Sequence, residues 1–122
     1  GSAERQHAEG VAHAMRHQAL NLAGVLSVGE LACLLARCRL LVSNDSGPVH
    51  VAAAVGTPVV ALFGRNQPGL GATRWGPIGS RQVILQRPDD PRFSYITQLG
   101  VSEVYEAAKS LLVRAPRPAA SR

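Results

Sequence analysis

The fold of this chain is decided by one stretch, LLVSNDSGPVHVAAAVGTPVVALF, which occupies residues 40–63. Leu40-Leu41-Val42 is a short continuous apolar run of the kind that forms a buried strand. Val59-Val60-Ala61-Leu62-Phe63 is a second and clearer run. Between them lie a polar loop and a short helical segment, in which Pro48 suits the first turn and Gly56 suits the C-terminal end. A strand, a helix and a second strand in this order predict a parallel sheet with a crossover helix.

The flanking segments continue the alternation of helices and strands. The expected elements are a helix over residues 4–17, a strand over residues 19–22, a helix after Ser27, a strand over residues 82–85 and a helix capped by Ser102. Ser27 and Glu30 have the spacing of a capping box, in which each side chain satisfies a free backbone N–H group. Residues 64–77 and 88–100 show no periodic pattern, and we expect loops there.

The composition of the chain is that of a small α/β protein. Of its 122 residues, 46% are hydrophobic and only 4% are aromatic, so the core has to be built from Val, Leu and Ala. We therefore predict an α/β fold, a Rossmann-like parallel sheet with flanking helices, over residues 1–114. The Pro/Ala/Arg tail at residues 115–122 is expected to be disordered.

The chain has a net positive charge, but its basic residues are not clustered in the sequence. Thirteen Lys and Arg residues against eight Asp and Glu residues give a formal net charge of +5, and Lys109 is the only lysine. Arginine binds phosphate in bidentate fashion, so a nucleic acid has to be considered. The arginines are scattered, however, and no aromatic residues are interleaved with them, so we expect no nucleic acid partner. A solvated basic surface explains the charge, and attraction to anionic lipid or to an anionic acceptor is the alternative.

Cysteine usage and hydropathy favour the cytoplasm. Cys33 and Cys38 lie five residues apart in one apolar stretch. That spacing puts them on different faces of a helix, which suits buried thiols better than a disulfide or a metal pair. No apolar run approaches the length of a membrane span, and no signal peptide is recognisable. No His, Asp and Glu cluster indicates a metal, and we expect no cofactor.

The loop between the first strand and the next helix is the candidate site. In parallel sheets ligands bind beyond the carboxyl ends of the strands, where a helix start favours a phosphate through free N–H groups and its dipole. Gly47 leaves the backbone open to an anion, and Ser46 adds a hydroxyl donor. His50 lies one turn inside the helix, with its imidazole leaning toward the same place. Asp45 would repel a phosphate, so it either accepts from sugar hydroxyls or holds the loop through backbone N–H groups.

A structural role explains the same residues equally well. Asn44 and Asp45 are typical of Asx turns, which cap buried helices, and His50 would then be merely half exposed. Spacing alone favours neither interpretation.

Over most of its length the chain resembles glycosyltransferase family 9, the ADP-heptose:lipopolysaccharide heptosyltransferases. Each matching segment is weak alone, whereas the series in this order is specific. The segments are Asn21-Leu22-Ala23-Gly24, Ser27-Val28-Gly29-Glu30-Leu31-Ala32, residues 41–54, residues 56–64 and Val101-Ser102-Glu103-Val104.

The resemblance implies a GT-B fold, in which two Rossmann-like domains face a cleft and the C-terminal domain holds the donor. The chain resembles only the later part of that domain, so it is expected to be the C-terminal half of a GT-B glycosyltransferase. The family is thought to use an aspartate of the N-terminal acceptor domain as general base. We therefore assign no catalytic residue to this chain.

By position, the resemblance assigns four residues to the diphosphate and sugar of the donor. These are Asp45, Ser46, Gly47 and His50. It assigns Glu4 to the ribose hydroxyls, because residues 1–4 resemble the Gly-rich turn that precedes an acidic residue in the family; a plain surface helix is an equally good interpretation. The chain departs from the family after Gly64, where Arg65-Asn66-Gln67-Pro68 stands in place of Pro-Thr-Asp-Pro.

The implied activity is inverting transfer from an ADP-sugar, ADP-heptose in this family, to a lipopolysaccharide core or related acceptor. The implied location is cytoplasmic, with a weak peripheral association with the inner-membrane surface as a further alternative. Two other functions stay open. One is a sugar-nucleotide epimerase-like GT-B domain, against which the Pro48-x-His50 continuation argues. The other is a stand-alone nucleotide-binding module without catalysis.

We predict that the 122-residue chain alone does not catalyse glycosyl transfer, because the base that deprotonates the acceptor is expected in another domain. Incubation with ADP-heptose and a heptose-accepting lipopolysaccharide core, followed by measurement of released ADP, checks this. Release above that of a protein-free control would contradict the prediction.

Overall fold

A computed structural model describes residues 2–64, 81–87 and 95–114, together with the single positions 72, 76, 78, 79 and 92. Its helices are α1 (Ser2–Ala14), α2 (Val28–Arg37), α3 (Gly47–Ala54), α4 (Tyr95–Gln98) and α5 (Val101–Arg114). Its strands are β1 (Leu41–Asn44), β2 (Val59–Phe63) and β3 (Gln82–Gln86). The chain divides into two compact units, residues 1–31 and residues 32–122.

The strands form one parallel sheet in the order β1-β2-β3. At its carboxyl end Asn44 of β1 pairs with Leu62 of β2, and Leu62 pairs in turn with Leu85 of β3. The three strands therefore end at one edge of the sheet, which we call the carboxyl edge. The residues that directly follow the strands there are Asp45, Gly64 and Arg87. This confirms the predicted parallel α/β sheet, but β1 alternates between half-buried and exposed residues and is not the buried strand that its apolar run predicts.

The core of the second unit is built around β2. Four of the five residues of β2 are buried, and Phe63 is completely inaccessible to solvent. Val49 and Ala52 of α3 are also completely buried, and α3 packs against β1 and β2. Helix α5 packs against β2 and β3. A central strand covered on both faces has to be apolar at successive positions, which explains why the run at residues 59–63 does not alternate.

Helix α3 begins and ends where the sequence predicts. Pro48 lies in its first turn, and Gly56 follows its last turn with φ +80°, a left-handed conformation that glycine adopts without strain. The amide of Gly56 donates to the carbonyl of Ala53 at 3.2 Å, and the amide of Thr57 donates to that of Ala52 at 2.9 Å. This pair of bonds is a Schellman motif, which turns the chain sharply from α3 into β2.

The start of α2 confirms the predicted capping box. The amide of Ser27 donates to Glu30 Oε2 at 2.7 Å, and the amide of Glu30 donates to Ser27 Oγ at 3.3 Å. The bonds that Glu30 accepts from the Ser27 amide and hydroxyl hold the pKa of its carboxyl below the ordinary value. Cys33 and Cys38 are free thiols, as predicted, but Cys33 is exposed rather than buried. It lies two positions from the buried Leu35, and therefore on the opposite side of α2.

Residues 19–22 do not form the predicted strand. The side-chain amide of Asn21 donates to the carbonyl of Arg5 at 3.1 Å and to Glu9 Oε2 at 2.8 Å, while its Oδ1 accepts from the amide of Ala23 at 3.1 Å. Such bonds give the backbone an alternative to strand pairing. Gly24, with φ +75°, continues the turn. Helix α1 also ends earlier than predicted, at Ala14 rather than near residue 17.

Two predictions toward the C terminus are wrong in detail. Ser102 lies within the first turn of α5 instead of capping it, and Gly100 is the residue whose carbonyl accepts the first helical bond, from the amide of Val104 at 3.2 Å. Residues 95–98, expected to be irregular, form the short helix α4. Residues 65–71, 88–91 and 115–122 lie outside the described residues, so the loops and the disordered tail predicted there stay predictions.

We predict that Thr57→Val lowers the free energy of unfolding by about 1 kcal/mol, the usual net value of one hydrogen bond. Thr57 is buried, and its hydroxyl donates to the carbonyl of Leu35 at 2.6 Å, which joins α2 to the turn before β2. Valine keeps the shape of the side chain and removes only the donor. Urea unfolding measures the change.

Ser110→Ala is the matched control, because the Ser110 hydroxyl is exposed and bonds only to the carbonyl of Ala107 in the same helix. It should leave the free energy of unfolding unchanged within about 0.5 kcal/mol. An equal decrease in the free energy of unfolding of the two variants would show that the buried hydrogen bond of Thr57 contributes no more than an exposed one.

Candidate functional site

The candidate site is the loop that leaves β1 at the carboxyl edge. The amide of Asp45 donates to the carbonyl of Leu62 at 3.0 Å, so the hydrogen-bond ladder between β1 and β2 continues one residue beyond β1. Helix α3 begins two residues later, at Gly47. A backbone bond therefore fixes the loop to the sheet and places the start of α3 at the edge where parallel sheets bind their ligands.

The hydroxyl of Ser46 bonds within the loop. Ser46 Oγ lies 3.1 Å from the carbonyl oxygen of Asn44 and 3.1 Å from Ser43 Oγ, and Ser43 Oγ lies 3.0 Å from the same carbonyl. Because a hydroxyl donates only one hydrogen, Ser46 has to turn away from these partners to donate to a ligand. Its role as a ligand donor stays a prediction. Ser43 belongs to the same cluster and was missed, although its spacing of three residues from Ser46 is visible in the sequence.

The backbone N–H groups at the start of α3 are not capped by a side chain. Ser46 is the N-cap residue, but it makes no capping side-chain bond, and its carbonyl accepts from the amide of Val49 at 3.1 Å. The first turn of a helix leaves several N–H groups without an acceptor inside the helix, and Pro48 has none to offer. These groups and the positive end of the helix dipole favour an anion here.

Gly47 is not explained by conformation or by packing. The described glycines with positive φ are Gly24 and Gly56, so Gly47 adopts a backbone conformation that other residues can share. A Cβ atom added at Gly47 would meet no atom of the described residues within 4 Å. What the glycine provides is open space directly beside the uncapped backbone.

Asp45 and His50 both face solvent. The carboxylate of Asp45 forms no hydrogen bond with another described residue, so the backbone and not this side chain holds the loop to the sheet. Contact of Asp45 with sugar hydroxyls stays a prediction. His50 lies in the first turn of α3 and is exposed rather than half exposed. The structure thus brings Asp45, Ser46, Gly47 and His50 together within one loop and one helical turn.

A second charged group lies at the carboxyl edge, and the sequence analysis missed it. Arg87 directly follows β3, and its guanidinium donates to Glu103 in the first turn of α5 and to the carbonyl of Gln86 at 3.1 Å. The bond from Arg87 holds the pKa of the Glu103 carboxyl below its ordinary value, against the opposing effect of partial burial. Sixteen residues separate the two partners, so no local pattern indicates the pair.

Glu4 belongs to the other unit of the chain. It lies exposed in the first turn of α1, within residues 1–31, whereas the loop belongs to residues 32–122. Its contact with a ribose stays a prediction. The departure at residues 65–68 falls outside the described residues.

Metal-binding groups and membrane spans were sought in the described residues. No group of three His, Cys, Asp or Glu side chains there is arranged to hold a metal ion. None of the helices in the same part of the chain is both long enough and apolar enough to cross a membrane.

A parallel sheet with flanking helices and an open helix start at its carboxyl edge defines a Rossmann-like fold. The family model described as glycosyltransferase family 9 (heptosyltransferase) matches residues 1–100. The chain therefore belongs to glycosyltransferase family 9.

Individual relatives agree with this family. Lipooligosaccharide heptosyltransferase 2 of Haemophilus influenzae is 44% identical over 54 residues, which cover 44% of this chain and 16% of that protein. This chain is also similar to a family 9 glycosyl transferase from Veillonella parvula, whose crystal structure aligns with it at a TM-score of 0.81 and 27% sequence identity. The alignment covers 94% of this chain and 35% of that chain.

The ADP-heptose lps heptosyltransferase II of E. coli has the same fold. Its TM-score is 0.78 at 24% identity, with 93% of this chain and 35% of that chain covered. The chain thus spans about a sixth of the H. influenzae relative and about a third of either solved structure.

We predict that Glu103→Gln lowers stability at pH 7 and makes unfolding less dependent on acid. Because the pKa of Glu103 is depressed in the folded chain, its ionised form contributes stability above the unfolded pKa of about 4.3, and this is lost as the pH falls through the lower folded pKa. Thermal midpoints of wild type and variant between pH 7 and pH 2.5 should therefore converge at the acid end.

Glu106→Gln serves as the control, because Glu106 is an exposed carboxylate on the same helix. Its midpoint should stay close to that of the wild type at every pH. A constant difference between wild type and Glu103→Gln down to pH 2.5 would contradict the role of the ion pair.

Proposed function

We propose that this chain is the donor-binding part of an inverting glycosyltransferase of the heptosyltransferase type. In this proposal the loop between β1 and α3 holds the diphosphate of an ADP-sugar, ADP-heptose in the first instance. The observation that supports it best is the uncapped, unobstructed helix start at Gly47, held against the sheet by the bond from Asp45 to Leu62. Membership of family 9 supports the reaction type.

The residues of the loop act on the leaving group. Backbone N–H groups at the start of α3 bind the diphosphate and stabilise the charge that develops as the glycosidic bond breaks, as oxyanion-hole donors do. Gly47 lets the phosphate approach the backbone. His50, in the first turn of α3, reaches back along the helix toward the same anion and donates a hydrogen bond to it. The Ser46 hydroxyl turns from Asn44 to the phosphate.

Two carboxylates bind the uncharged parts of the donor. Asp45 accepts hydrogen bonds from hydroxyls of the sugar, because its charge disfavours direct contact with the diphosphate. Glu4 accepts from the ribose hydroxyls. The acceptor, a lipopolysaccharide core or a related glycolipid, binds to the other domain, which also supplies the general base. The complete enzyme works in the cytoplasm, in weak contact with the inner membrane.

We predict that ADP raises the thermal midpoint of the 122-residue chain and that GDP and UDP raise it less. A ligand that binds only the folded state stabilises it by mass action, by about 2.7 kcal/mol when its concentration is about 100 times Kd. Differential scanning fluorimetry with each nucleotide over a range of concentrations measures the response.

Two variants locate the binding. Gly47→Ala should fold as stably as the wild type, because its methyl group meets no described atom, but it should weaken ADP binding by filling the space of the phosphate. His50→Ala should leave the nucleotide-free midpoint unchanged and raise Kd about tenfold, which corresponds to about 1.4 kcal/mol.

His17→Ala replaces an exposed histidine outside α3 and should keep the full response. A response to ADP that is equal in all three variants would place the nucleotide elsewhere and overturn the assignment of the loop. Glu4→Gln, compared with the exposed Glu106→Gln, tests the ribose contact in the same way.

A further inference from the structure

A cavity lies at the end of the sheet opposite the carboxyl edge. It has a volume of about 150 Å³ and lies between the turn from α3 into β2 and the segment that leads into β3. Its walls include Gly56 and Thr57 on one side and Gly79, Arg81 and Gln82 on the other. All of these residues belong to the unit of residues 32–122.

The cavity is separate from the loop that follows β1. Val59 and Gln82, which are the first residues of β2 and β3, form part of its wall. The loop adjoins the last residues of the strands. Five residues of a strand span about 13 Å, so a ligand in the cavity does not touch the diphosphate site.

Two buried polar atoms of the cavity wall have no partner. Nη2 of Arg81 and Oε1 of Gln82 are both hidden from solvent, and neither makes a hydrogen bond to a described residue. Buried polar groups in folded proteins are nearly always paired, because leaving one unpaired costs its full desolvation.

The glycines of the wall leave the space open. A Cβ atom added at Gly79 would meet no described atom within 4 Å, and the same holds at Gly56, whose glycine is explained by its φ of +80°. Gly79 has no positive φ, so neither conformation nor packing requires a glycine there. Among the described residues on this side of the cavity, Gly79 therefore contributes no side chain, and Arg81 lines the same side.

The chemistry of the wall defines the ligand. Arg81 offers N–H donors and a positive charge that match an oxyanion, and the carbonyl oxygen of Gln82 requires a donor. One water occupies about 30 Å³ of liquid, so a cavity of about 150 Å³ has room for only a few non-hydrogen atoms. We propose that the ends of the Arg81 and Gln82 side chains turn into this cavity and bind there a small oxyanion that carries an O–H group, such as hydrogen phosphate or a short hydroxycarboxylate.

Amide chemical shifts of the ¹⁵N-labelled 122-residue chain test the proposal in a buffer without other oxyanions. Inorganic phosphate and glycolate should cause saturable shifts at Gly56, Thr57 and Gly79. Sulfate and acetate have the same charged groups without an O–H group at neutral pH, and they should bind several-fold more weakly. Saturation by phosphate but not by glycolate would assign the cavity to phosphate, and the reverse would assign it to a hydroxycarboxylate.

Arg81→Met should weaken the binding by about tenfold or more, because it removes the charge and keeps much of the apolar stem. Arg39→Met is the matched control. Arg39 is exposed and donates to the carbonyl of Leu112 at 3.5 Å, outside the cavity wall, so this variant should bind as the wild type does. Gly79→Val fills the cavity without changing the charge, and it should abolish the shifts even if Arg81→Met fails to fold.

Shifts that are absent, or that are equal in the wild type, Arg81→Met and Gly79→Val, would overturn the proposal. Phosphate shifts at Ser46 and Gly47 report the proposed diphosphate loop and should be unaffected by Arg81→Met. The experiment can therefore refute the proposed cavity ligand and the proposed diphosphate site independently of each other.

Discussion

The backbone hydrogen bond from Asp45 to Leu62 is the point on which the candidate site depends. Parallel pairing of β1 with β2 brings their carboxyl ends to one edge, and this bond extends the pairing into the loop. Val49 and Ala52 lie on the inner face of α3 and are completely buried, so the helix cannot shift without opening the core. The open helix start at Gly47 is thus positioned by the same contacts that stabilise the sheet.

The sequence predicts those parts of the fold that depend on local patterns. The strand at residues 59–63 is a continuous apolar run, and the limits of α3 follow from Pro48 and Gly56, whose conformations are restricted in known ways. The strand expected at residues 19–22 fails because Asn21 bonds to α1, and no local pattern reveals a partner twelve or sixteen residues away. The pairing of Arg87 with Glu103 was missed for the same reason.

The place of the site follows from the sequence more readily than the roles of its residues. A polar loop after an apolar strand run indicates where a ligand is expected to bind, whatever the ligand is. Whether Ser46 donates, or whether His50 touches an anion, depends on hydroxyl and imidazole orientations that the spacing does not determine. Gly47 is the exception, because open space beside an uncapped helix start explains a glycine that conformation and packing do not require.

The two serine hydroxyls that share the carbonyl of Asn44 have a consequence for the speed of recognition. Ser43 and Ser46 both donate to this carbonyl, which has two lone pairs, so Ser43 keeps it satisfied when Ser46 turns away. When an anion arrives, Ser46 can rotate its hydrogen toward the ligand and Ser43 keeps the carbonyl satisfied. Only a hydrogen atom moves, on the picosecond-to-nanosecond timescale of side-chain rotation. In the proposed donor site the loop would therefore exchange an internal partner for an external one without reorganising its backbone.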